Sequence, residues 1–393
     1  MTTIRSTHCI RCPPRWLLLR VETDDGAVGW GEAIGDLHEE VEKALEALGE
    51  RVIGSEIHDI TRIIDTQRKT RFWRDGPVLD TALSALEMAL WDLKGKEWGA
   101  PVHDLLGGRV RDRVRVYRNL WGRNPEEFAS SALEAVSRSM TAVKVSPAGP
   151  TPAVVSRSEL ESLTKVVAAV RDAVGPHVDL AVDLHGRLTP AASRRAVHAL
   201  APLDPFFIEE PCLPDGSASH LADLRALRTA QPIAIATGER LRSAHRFAEH
   251  LLPSPVVDII QPDVSMVGGI RATVEIGAMA SAAQVSLAPH CPYGPIQFAA
   301  SLQVAATCPA HLIQEFQSLG GAGSGGGIPG AGQDWAFDLI ERPFEIQSGH
   351  VEIPSGAGLG IRVVEDRIEE FMEQWNPHPP TAWTLADGSH AEW

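Results

Sequence analysis

Three carboxylates with the potential to bind a metal ion stand at the ends of successive β-rich runs: Asp183, Glu209 and Glu239. The carboxyl ends of neighbouring parallel strands meet at one edge of a sheet, so we expect these side chains to converge. Without a cation they would repel one another. Three carboxylate oxygens that leave room for water and substrate suit Mg²⁺, whereas zinc sites usually include histidine or thiolate. The sequence therefore predicts one Mg²⁺ in the site, with an ion-pair network to Arg187 or Arg240 as the alternative.

Two histidines accompany these carboxylates. His185 is two residues from Asp183 on a predicted strand, where both side chains would point the same way. We therefore expect His185 beside the metal without being a ligand. His290 ends a later run and Asp263 ends the run before it, so we expect this pair to be in contact. A carboxylate fixes the tautomer of a histidine and raises its basicity, which is how a general base is made.

Short β-rich runs alternate with amphipathic helical stretches through most of the chain. The runs are Val114–Tyr117, Ala142–Val145, Asp179–Leu184, Phe206–Glu209, Ile233–Thr237, Val256–Gln261, Val285–Ala288 and Leu312–Glu315. This alternation predicts right-handed βα units around a parallel sheet. Eight strands close a barrel, in which the two histidines would face each other across the ring. A doubly wound open sheet is the alternative, but no glycine-rich phosphate-binding fingerprint follows the first run.

Nearly every run ends in an ionisable residue: Lys144, Asp183, Glu209, Glu239, Asp263, His290 and Glu315. Taken singly, an aspartate at a strand end more often caps a helix or forms a turn, and a lone histidine is more often structural. Functional residues of a barrel cluster at this same edge. The agreement of so many strand ends favours an active site.

The first hundred residues have a different pattern. Two β-rich runs flank Asp24, Asp25 and Gly26, which predicts a hairpin, and helical patterns follow. We predict an α/β protein: a modified TIM barrel of the (β/α)7β type with an N-terminal α+β capping domain. The predicted domains are a cap over residues 1–113, a barrel with the active site over residues 114–340, and a C-terminal segment over residues 341–393 that returns to the cap.

Charge and composition exclude some function classes. The 36 basic and 51 acidic residues give a net charge of −15, which argues against nucleic acid and anionic membranes as partners. Cys9 and Cys12 form a CxxC motif without a second pair, so we expect reduced thiols. No signal-peptide pattern opens the chain, and the early apolar stretch Trp16–Leu19 is far shorter than a membrane span. We expect a soluble cytoplasmic protein.

These residues, with the strings around them, resemble the enolase superfamily, in its mandelate-racemase-like branch and closest to the galactonate dehydratases. The resemblance runs nearly end to end and rests on PPRW (Pro13–Trp16), GWGE (Gly29–Glu32), ALWDLKGK (Ala89–Lys96), VDLHGR (Val182–Arg187), FIEEP (Phe207–Pro211), GER (Gly238–Arg240), QPDVS (Gln261–Ser265), GGI (Gly268–Ile270), LAPHCPYGPI (Leu287–Ile296) and AEW (Ala391–Trp393). The FIEEP and GER strings occur broadly across this branch. The DLHGR and APHCPYGPI strings are typical of a much narrower group within it.

The resemblance implies a hydro-lyase acting on an acid sugar, with D-galactonate as the expected substrate. Mg²⁺ on the three carboxylates would bind the substrate carboxylate, and loss of the neighbouring proton would give an enediolate. His290, supported by Asp263, matches the base, and His185 matches the acid that protonates the departing 3-hydroxyl. Glu315 and Lys144 match residues that contact the substrate carboxylate. The product would be a 2-keto-3-deoxy acid.

Ser146 separates this reaction from its relatives in the same branch. Racemases and many cycloisomerases carry a second lysine at the matching position, as a base on the other face of the substrate. The serine here favours dehydration. A racemase, epimerase or cycloisomerase, a dehydratase of another aldonic acid, and a non-catalytic sugar-acid-binding protein stay open as alternatives.

Two loops of the cap are expected to close over the barrel mouth and set specificity. They match Cys12–Leu17 and Arg71–Val78, and the candidate substrate-binding residues are Arg15, Trp16, Trp73 and Arg74, with Lys144 and Arg187 from the barrel. The alternative for the two tryptophans is contact between cap and barrel.

Several departures leave the acid sugar open. Asp75 stands where galactonate enzymes carry glycine, Met266 where they have histidine, and Tyr293 where they have leucine, while the Gly320–Gly332 run has no counterpart. By analogy with the family we expect a homo-oligomer whose partner is a small-molecule acid sugar.

Overall fold

The computed structural model describes residues 2–13, 16–147, 149, 151–213, 217–316, 339–372 and 382–392. The glycine-rich run Gly320–Gly332 and Arg15 lie outside the described residues. Within the described residues, no helix combines the length and the apolar character that crossing a membrane requires.

An antiparallel sheet begins the chain. Its strands are β1 (Ile4–Cys12), β2 (Trp16–Thr23) and β3 (Val28–Ala33), in that order. The hairpin between β2 and β3 lies where the turn residues predict it, and Gly26 takes a φ of 86° there. Strand β1 was not predicted, because its alternating residues carry few apolar side chains.

Four helices follow this sheet: α1 (His38–Val52), α2 (Ile60–Lys69), α3 (Pro77–Trp98) and the short α4 (Val102–Leu105). Helices α1 and α3 contact the strands, and α2 and α4 pack against α3. Most of α3 is buried, because it lies between β3 and the barrel. Gly31 of β3 has no room for a side chain, since a Cβ there would lie 1.9 Å from Ala85 O of α3. The glycines of the GWGE string therefore let strand and helix approach closely.

The barrel follows as one ring of parallel strands. They are β4 (Arg113–Asn119), β5 (Ala142–Val145), β6 (Asp179–Asp183), β7 (Phe207–Glu209), β8 (Ala234–Thr237), β9 (Ile259–Ile260), β10 (Ser286–Leu287) and β11 (Gln314–Phe316). Neighbours pair in sequence order, and β11 pairs with β4. Leu287 and His311 form a parallel bridge between the β10 and β11 segments, so the ring closes.

Seven helices of the described chain connect these strands: α5 (Pro125–Ser137), α6 (Arg157–Val174), α7 (Pro190–Leu200), α8 (Ala218–Ala230), α9 (Ala244–Leu251), α10 (Gly269–Ala282) and α11 (Pro295–Thr307). A 3₁₀ turn, Ala201–Leu203, extends α7. Five of them begin after a side chain that accepts a first-turn N–H, which is the usual N-cap; these caps are Asn124, Ser156, Thr189, Ser217 and Ser243. The predicted (β/α)7β barrel with an α+β cap is confirmed.

The C-terminal part contacts both regions. Strand β12 (His350–Glu352) pairs antiparallel with β4, so only the end of the strand-like stretch Phe344–Ile353 is a strand. Helix α12 (Glu365–Met372) lies against β1, and Glu365 pairs with Arg20 of β2 at 3.2 Å. The exact domain limits at 113 and 340 stay predictions.

The buried apolar residues show where cap and barrel meet. One cluster lies between the strands of the barrel and its outer helices. A second contains most of the cap core together with Val264, Met266, Tyr293 and Ile296 of the barrel. These four residues follow β9 and β10, so the cap sits on the carboxyl end of the barrel.

Candidate active site

The three predicted metal ligands converge at the carboxyl end of the barrel. Asp183 and Glu209 are the last residues of β6 and β7 and stand opposite each other in the parallel register. Glu239 follows β8 by two residues. Each of the three offers a carboxylate oxygen, and these oxygens lie within 4.8 Å of one another. Among the described residues this is a group that could hold a metal ion.

The turn that presents Glu239 depends on two neighbours. Gly238 has a φ of 141°, and a Cβ there would lie 2.8 Å from Gln261 N. Glu210 Oε1 accepts hydrogen bonds from Thr237 Oγ1 (2.7 Å) and Gly238 N (2.8 Å). Burial raises the pKa of Glu210 to about 8, and the nearby Glu239 adds to that rise. The sequence showed Glu210 only as the second glutamate of the FIEEP string. That it holds the turn that presents Glu239 was not predicted.

Lys144 is the principal cation within the carboxylate cluster. Its Nζ lies 2.8 Å from Glu209 Oε2, 3.2 Å from Glu315 Oε1 and 3.7 Å from Asp183 Oδ2. Burial raises the pKa of Glu209 to about 8; Lys144 opposes this rise, and the neighbouring carboxylates strengthen it. One lysine therefore does not neutralise the cluster.

A divalent cation fits this arrangement, because the donor set is all oxygen and carries excess negative charge. The ion-pair alternative is present only in part, since Arg240 Nε lies 3.5 Å from Glu239 Oε1. Arg187 is stacked 4.4 Å from the ring centroid of Trp383, and burial lowers its pKa to about 10.

His185 lies in the turn after β6, not on the strand itself. The predicted strand through Leu184 ends at Asp183, and His185 has a φ of 51°, which residues other than glycine rarely adopt. The expected reason for its placement, a shared strand face, is therefore wrong. The turn still returns the imidazole to the first carboxylate, with Nε2 3.1 Å from Asp183 Oδ2.

Barrel residues orient His185. Ser146 Oγ lies 2.7 Å from its Nδ1, and Arg240 Nη2 donates to its carbonyl oxygen at 2.9 Å. Burial lowers the pKa of His185, while Asp183 and Glu239 oppose this by favouring the protonated imidazole. The Ser146 hydroxyl therefore supports the imidazole, at the position compared above with the second lysine of racemases and many cycloisomerases.

The structure also brings together His290 and Asp263, which were predicted to form the general base. His290 Nδ1 lies 2.8 Å from Asp263 Oδ2, and its Nε2 lies 3.3 Å from Glu239 Oε2. Burial lowers the pKa of His290, but Glu315, Asp263 and Glu239 outweigh burial and raise it to about 10. A cation bound at Glu239 would offset part of that negative charge.

Glu315 ends the ring of site residues on β11. Its carboxylate accepts hydrogen bonds from Asn119 Nδ2 and Cys291 N, both at 2.6 Å, and Lys144 is close. Burial would raise the pKa of Glu315, but Lys144, His290 and these donors hold it well below the usual range. Asn119 was not singled out from the sequence, because an asparagine at a strand end usually signals a turn. The predicted contact between Glu315 and the substrate carboxylate stays a prediction.

The candidate substrate-binding residues of the cap differ in exposure. Trp16 is fully buried, and its ring lies against Gly294 of the barrel. Trp73 is 83% exposed and forms an edge-to-face pair with Phe72. Arg74 is exposed and donates to Arg71 O at 3.0 Å. Trp16 therefore has the geometry of the packing alternative, whereas Trp73 and Arg74 are free to meet a ligand.

Two of the departures from the galactonate enzymes lie at the contact between cap and barrel. Met266 and Tyr293 are buried in the cluster that contains the cap core, and Tyr293 Oη donates to Asp36 Oδ2 at 2.8 Å. Asp75 is exposed in the loop before α3. Two of the three departures therefore lie in packed contacts between cap and barrel, and the third lies on the surface of the loop before α3.

Comparison with known proteins agrees with this geometry. A family profile described as enolase C-terminal domain-like matches residues 127–367. The profile of the mandelate racemase / muconate lactonizing enzyme N-terminal domain matches residues 9–107. A solved mandelate racemase/muconate lactonizing enzyme structure from Sulfitobacter has a TM-score of 0.84 at 30% identity, over 94% of this chain and 96% of that one.

Two relatives are similar over most of the chain. D-galactonate dehydratase of Variovorax paradoxus is 36% identical over 391 residues, which is 99% of this chain and 100% of its own length. D-gluconate dehydratase of Thermoproteus tenax is 36% identical over 373 residues, which is 92% of this chain and 71% of its own length. The predicted dehydratase class is confirmed, and the chain belongs to the enolase superfamily, in the mandelate racemase and muconate lactonizing enzyme family.

Proposed function

We propose that this chain is a Mg²⁺-dependent acid-sugar dehydratase, with D-galactonate as its favoured substrate. The C2 proton and the 3-hydroxyl of the aldonic acid leave as water, and the resulting enol becomes a 2-keto-3-deoxy acid. The observation that carries the proposal is the placement of two differently supported histidines, His185 and His290, beside one carboxylate cluster. A reaction that removes a proton on one face of the substrate and supplies one on the other is suited to two such groups.

The metal would be held by Asp183, Glu209 and Glu239, whose oxygens converge within 4.8 Å. When bound, Mg²⁺ would attract the substrate carboxylate and stabilise the negative charge that proton removal creates. Lys144 lies within the same cluster, 3.2 Å from Glu315. It would attract the substrate carboxylate from the β4–β5 side.

His290 is proposed as the base. Asp263 accepts from Nδ1, so Nε2 faces the cluster. A cation at Glu239 would offset the negative charge that keeps the imidazole protonated, and Nε2 would then accept the C2 proton. His290 follows β10 by three residues, and β10 is opposite β6 in the eight-strand ring. Proton removal and hydroxyl departure would therefore occur on opposite sides of the bound substrate.

His185 is proposed as the acid that protonates the leaving hydroxyl. Asp183 favours the protonated imidazole through its contact with Nε2 at 3.1 Å. Ser146 supports Nδ1, and a hydroxyl there is not a second base as lysine would be. This arrangement supports elimination over racemisation.

The substrate assignment rests on the relatives. D-galactonate and D-gluconate dehydratases have the same identity to this chain, 36%, and their substrates share the reacting C2 and C3 groups. Galactonate is favoured because the relative named for it matches over 100% of its own length. The exposed loop with Trp73, Arg74 and Asp75 is proposed to contact the distal hydroxyls.

An acid-sugar screen tests the proposal. The purified protein with Mg²⁺ is incubated with D-galactonate, D-gluconate and their C2 to C5 epimers, and 2-keto acid is measured. We expect product from D-galactonate and none from a His290→Asn control. No 2-keto acid from any aldonic acid would overturn the dehydratase proposal, and an epimer formed without loss of water would establish the racemase or epimerase alternative.

We further propose a cytoplasmic homo-oligomer whose partner is a small-molecule acid sugar. The support is analogy with the family for the oligomer and the net charge of −15 against nucleic acid. Sedimentation of the purified protein tests the oligomeric state, and a monomer at micromolar concentration would contradict it.

A further inference from the structure

A buried glutamine supports the proposed base from behind. Gln297 lies in the first turn of α11 and has no exposed surface. Its Nε2 donates to Asp263 Oδ1 at 2.7 Å, and Asp263 Oδ2 in turn is 2.8 Å from His290 Nδ1. A chain of hydrogen bonds therefore runs from the buried Gln297 through Asp263 to the imidazole.

The partners of Gln297 leave its amide one orientation. Oε1 accepts from Tyr293 N at 3.0 Å, and Cys291 Sγ lies 3.4 Å away. Nε2 faces a carboxylate, which can only accept when ionised. A glutamate at position 297 would place a second carboxylate against Asp263. An apolar residue there would remove one of the donors to Asp263 Oδ1.

The capping domain holds this glutamine in place. Glu32, the glutamate of the GWGE string on β3, is fully buried and accepts from the backbone N–H of Gly294 and of Gln297, the latter at 2.9 Å. These N–H groups belong to the start of α11, where the helix has no acceptor of its own. The turn that carries His290 into α11 is thereby tied to the cap.

We propose that Gln297 is a positioning residue for the Asp263–His290 pair and that Glu32 of the capping domain holds it in position. This inference rests on the proposed function, since it assigns a task to the pair that removes the C2 proton. Ser265 N donates to the same Oδ1 at 2.7 Å. The two donors fix the rotation of the carboxylate, and Oδ2 is left to orient the imidazole.

Loss of Gln297 should slow the chemical step of the reaction and not weaken substrate binding. Gln297 reaches the metal ligands and Lys144 only through other residues, namely the Asp263–His290 pair and Cys291, so we expect its loss to leave them in place. We expect Gln297→Met to lower kcat roughly 10- to 100-fold with KM changed less than about threefold, since a lost buried hydrogen bond to a charged group has an effect of that size.

Gln303 provides a matched control on the same helix. It is also fully buried, accepts from His103 N at 2.9 Å and donates to Leu359 O at 3.0 Å, away from the carboxylate cluster. Gln303→Met should lower the melting temperature about as much as Gln297→Met while keeping kcat. The shorter Gln297→Asn keeps a buried amide but withdraws the donor from Asp263, and it replaces the methionine variant if that variant does not fold.

A spectroscopic readout separates this inference from the proposed function. The His290 Nδ1 proton, bonded to Asp263, should give a downfield proton resonance in ¹⁵N-histidine-labelled protein, assigned by its loss in His290→Asn. It should shift or broaden in Gln297→Met and stay unchanged in Gln303→Met, with no substrate present.

The outcomes are distinct. A changed resonance with reduced kcat in the Gln297 variant alone supports the inference. An unchanged resonance, or equal loss of kcat in both glutamine variants, overturns it. A wild-type protein that dehydrates no acid sugar overturns the proposed function, while the resonance still decides whether Gln297 positions the pair.

Discussion

The two proposed proton-transfer sides of the site, with His185 as the acid and His290 as the base, are supported in different ways. On the acid side, His185 is oriented by barrel residues, with Ser146 at its Nδ1 and Asp183 at its Nε2. On the base side, His290 is oriented by Asp263, and the hydrogen bonds continue through Gln297 to Glu32 in the cap. The base side therefore depends on the docking of the cap, and the acid side on local barrel turns.

This difference suggests how one scaffold can keep proton abstraction while other steps vary. The base is built into the contact between the domains, so it is difficult to change without loosening the cap. The proposed acid stands in a turn with a φ of 51°, which the Ser146 hydroxyl, the Asp183 carboxylate and the Arg240 guanidinium support from within the barrel. Substitutions such as Ser146 for lysine can then change the second step alone.

Removal of the metal should have the largest effect, because both sides share its ligands. We expect chelation to abolish dehydration and proton exchange together. Mg²⁺ at a hundred times its Kd should add about 2.7 kcal/mol to the free energy of unfolding, measured as a rise in Tm. Glu239→Gln should lose this rise, and an equal rise in that variant would contradict the ligand assignment.

Loss of the carboxylate on the base side should come next. Asp263→Asn should lower kcat by about 10²–10⁴-fold, the usual range for a general base, because an amide no longer fixes the His290 tautomer. The control is Asp258→Asn. Asp258 directly precedes β9, and its carboxylate pairs with Arg228 at 2.7 Å. The control should lose stability and keep kcat; a similar loss of kcat in both variants would show a structural effect.

The smallest effect is expected on the acid side. Ser146→Ala removes one hydrogen bond from His185 Nδ1 and should slow dehydration roughly 2- to 10-fold, in line with a net contribution of about 1 kcal/mol. Exchange of the C2 proton with deuterated water should be unchanged, because the proposed base of that step is His290. If the Ser146→Ala protein loses C2 proton exchange as much as dehydration, the assignment of Ser146 to the acid side of the site is wrong.

Much of the fold and the metal site could be predicted because the signals are local. Alternating strand and helix patterns located the eight strands, and strand ends located Asp183, Glu209 and Glu239. Strands β9 and β10 are shorter than predicted, with two residues each, since apolar residues in a barrel continue beyond the paired segment.

What could not be predicted depends on distant or unusual conformations. Glu32 and Gln297 are 265 residues apart in sequence and meet only because the cap docks on the barrel. His185 was placed correctly beside Asp183 for an incorrect reason, because a positive φ at a residue other than glycine has no sequence pattern. Trp16 was expected in a loop over the barrel mouth, but it begins β2 and is buried because its ring lies against Gly294 of the barrel.

The central claim is that His290 removes the C2 proton and His185 assists departure of the 3-hydroxyl. One measurement tests it directly: His185→Asn and His290→Asn are incubated with D-galactonate and Mg²⁺ in deuterated water, and both 2-keto acid and deuterium at C2 are followed. We predict that His185→Asn incorporates deuterium without dehydration and that His290→Asn does neither. Normal dehydration by His185→Asn, or deuterium incorporation by His290→Asn, would contradict the assignment.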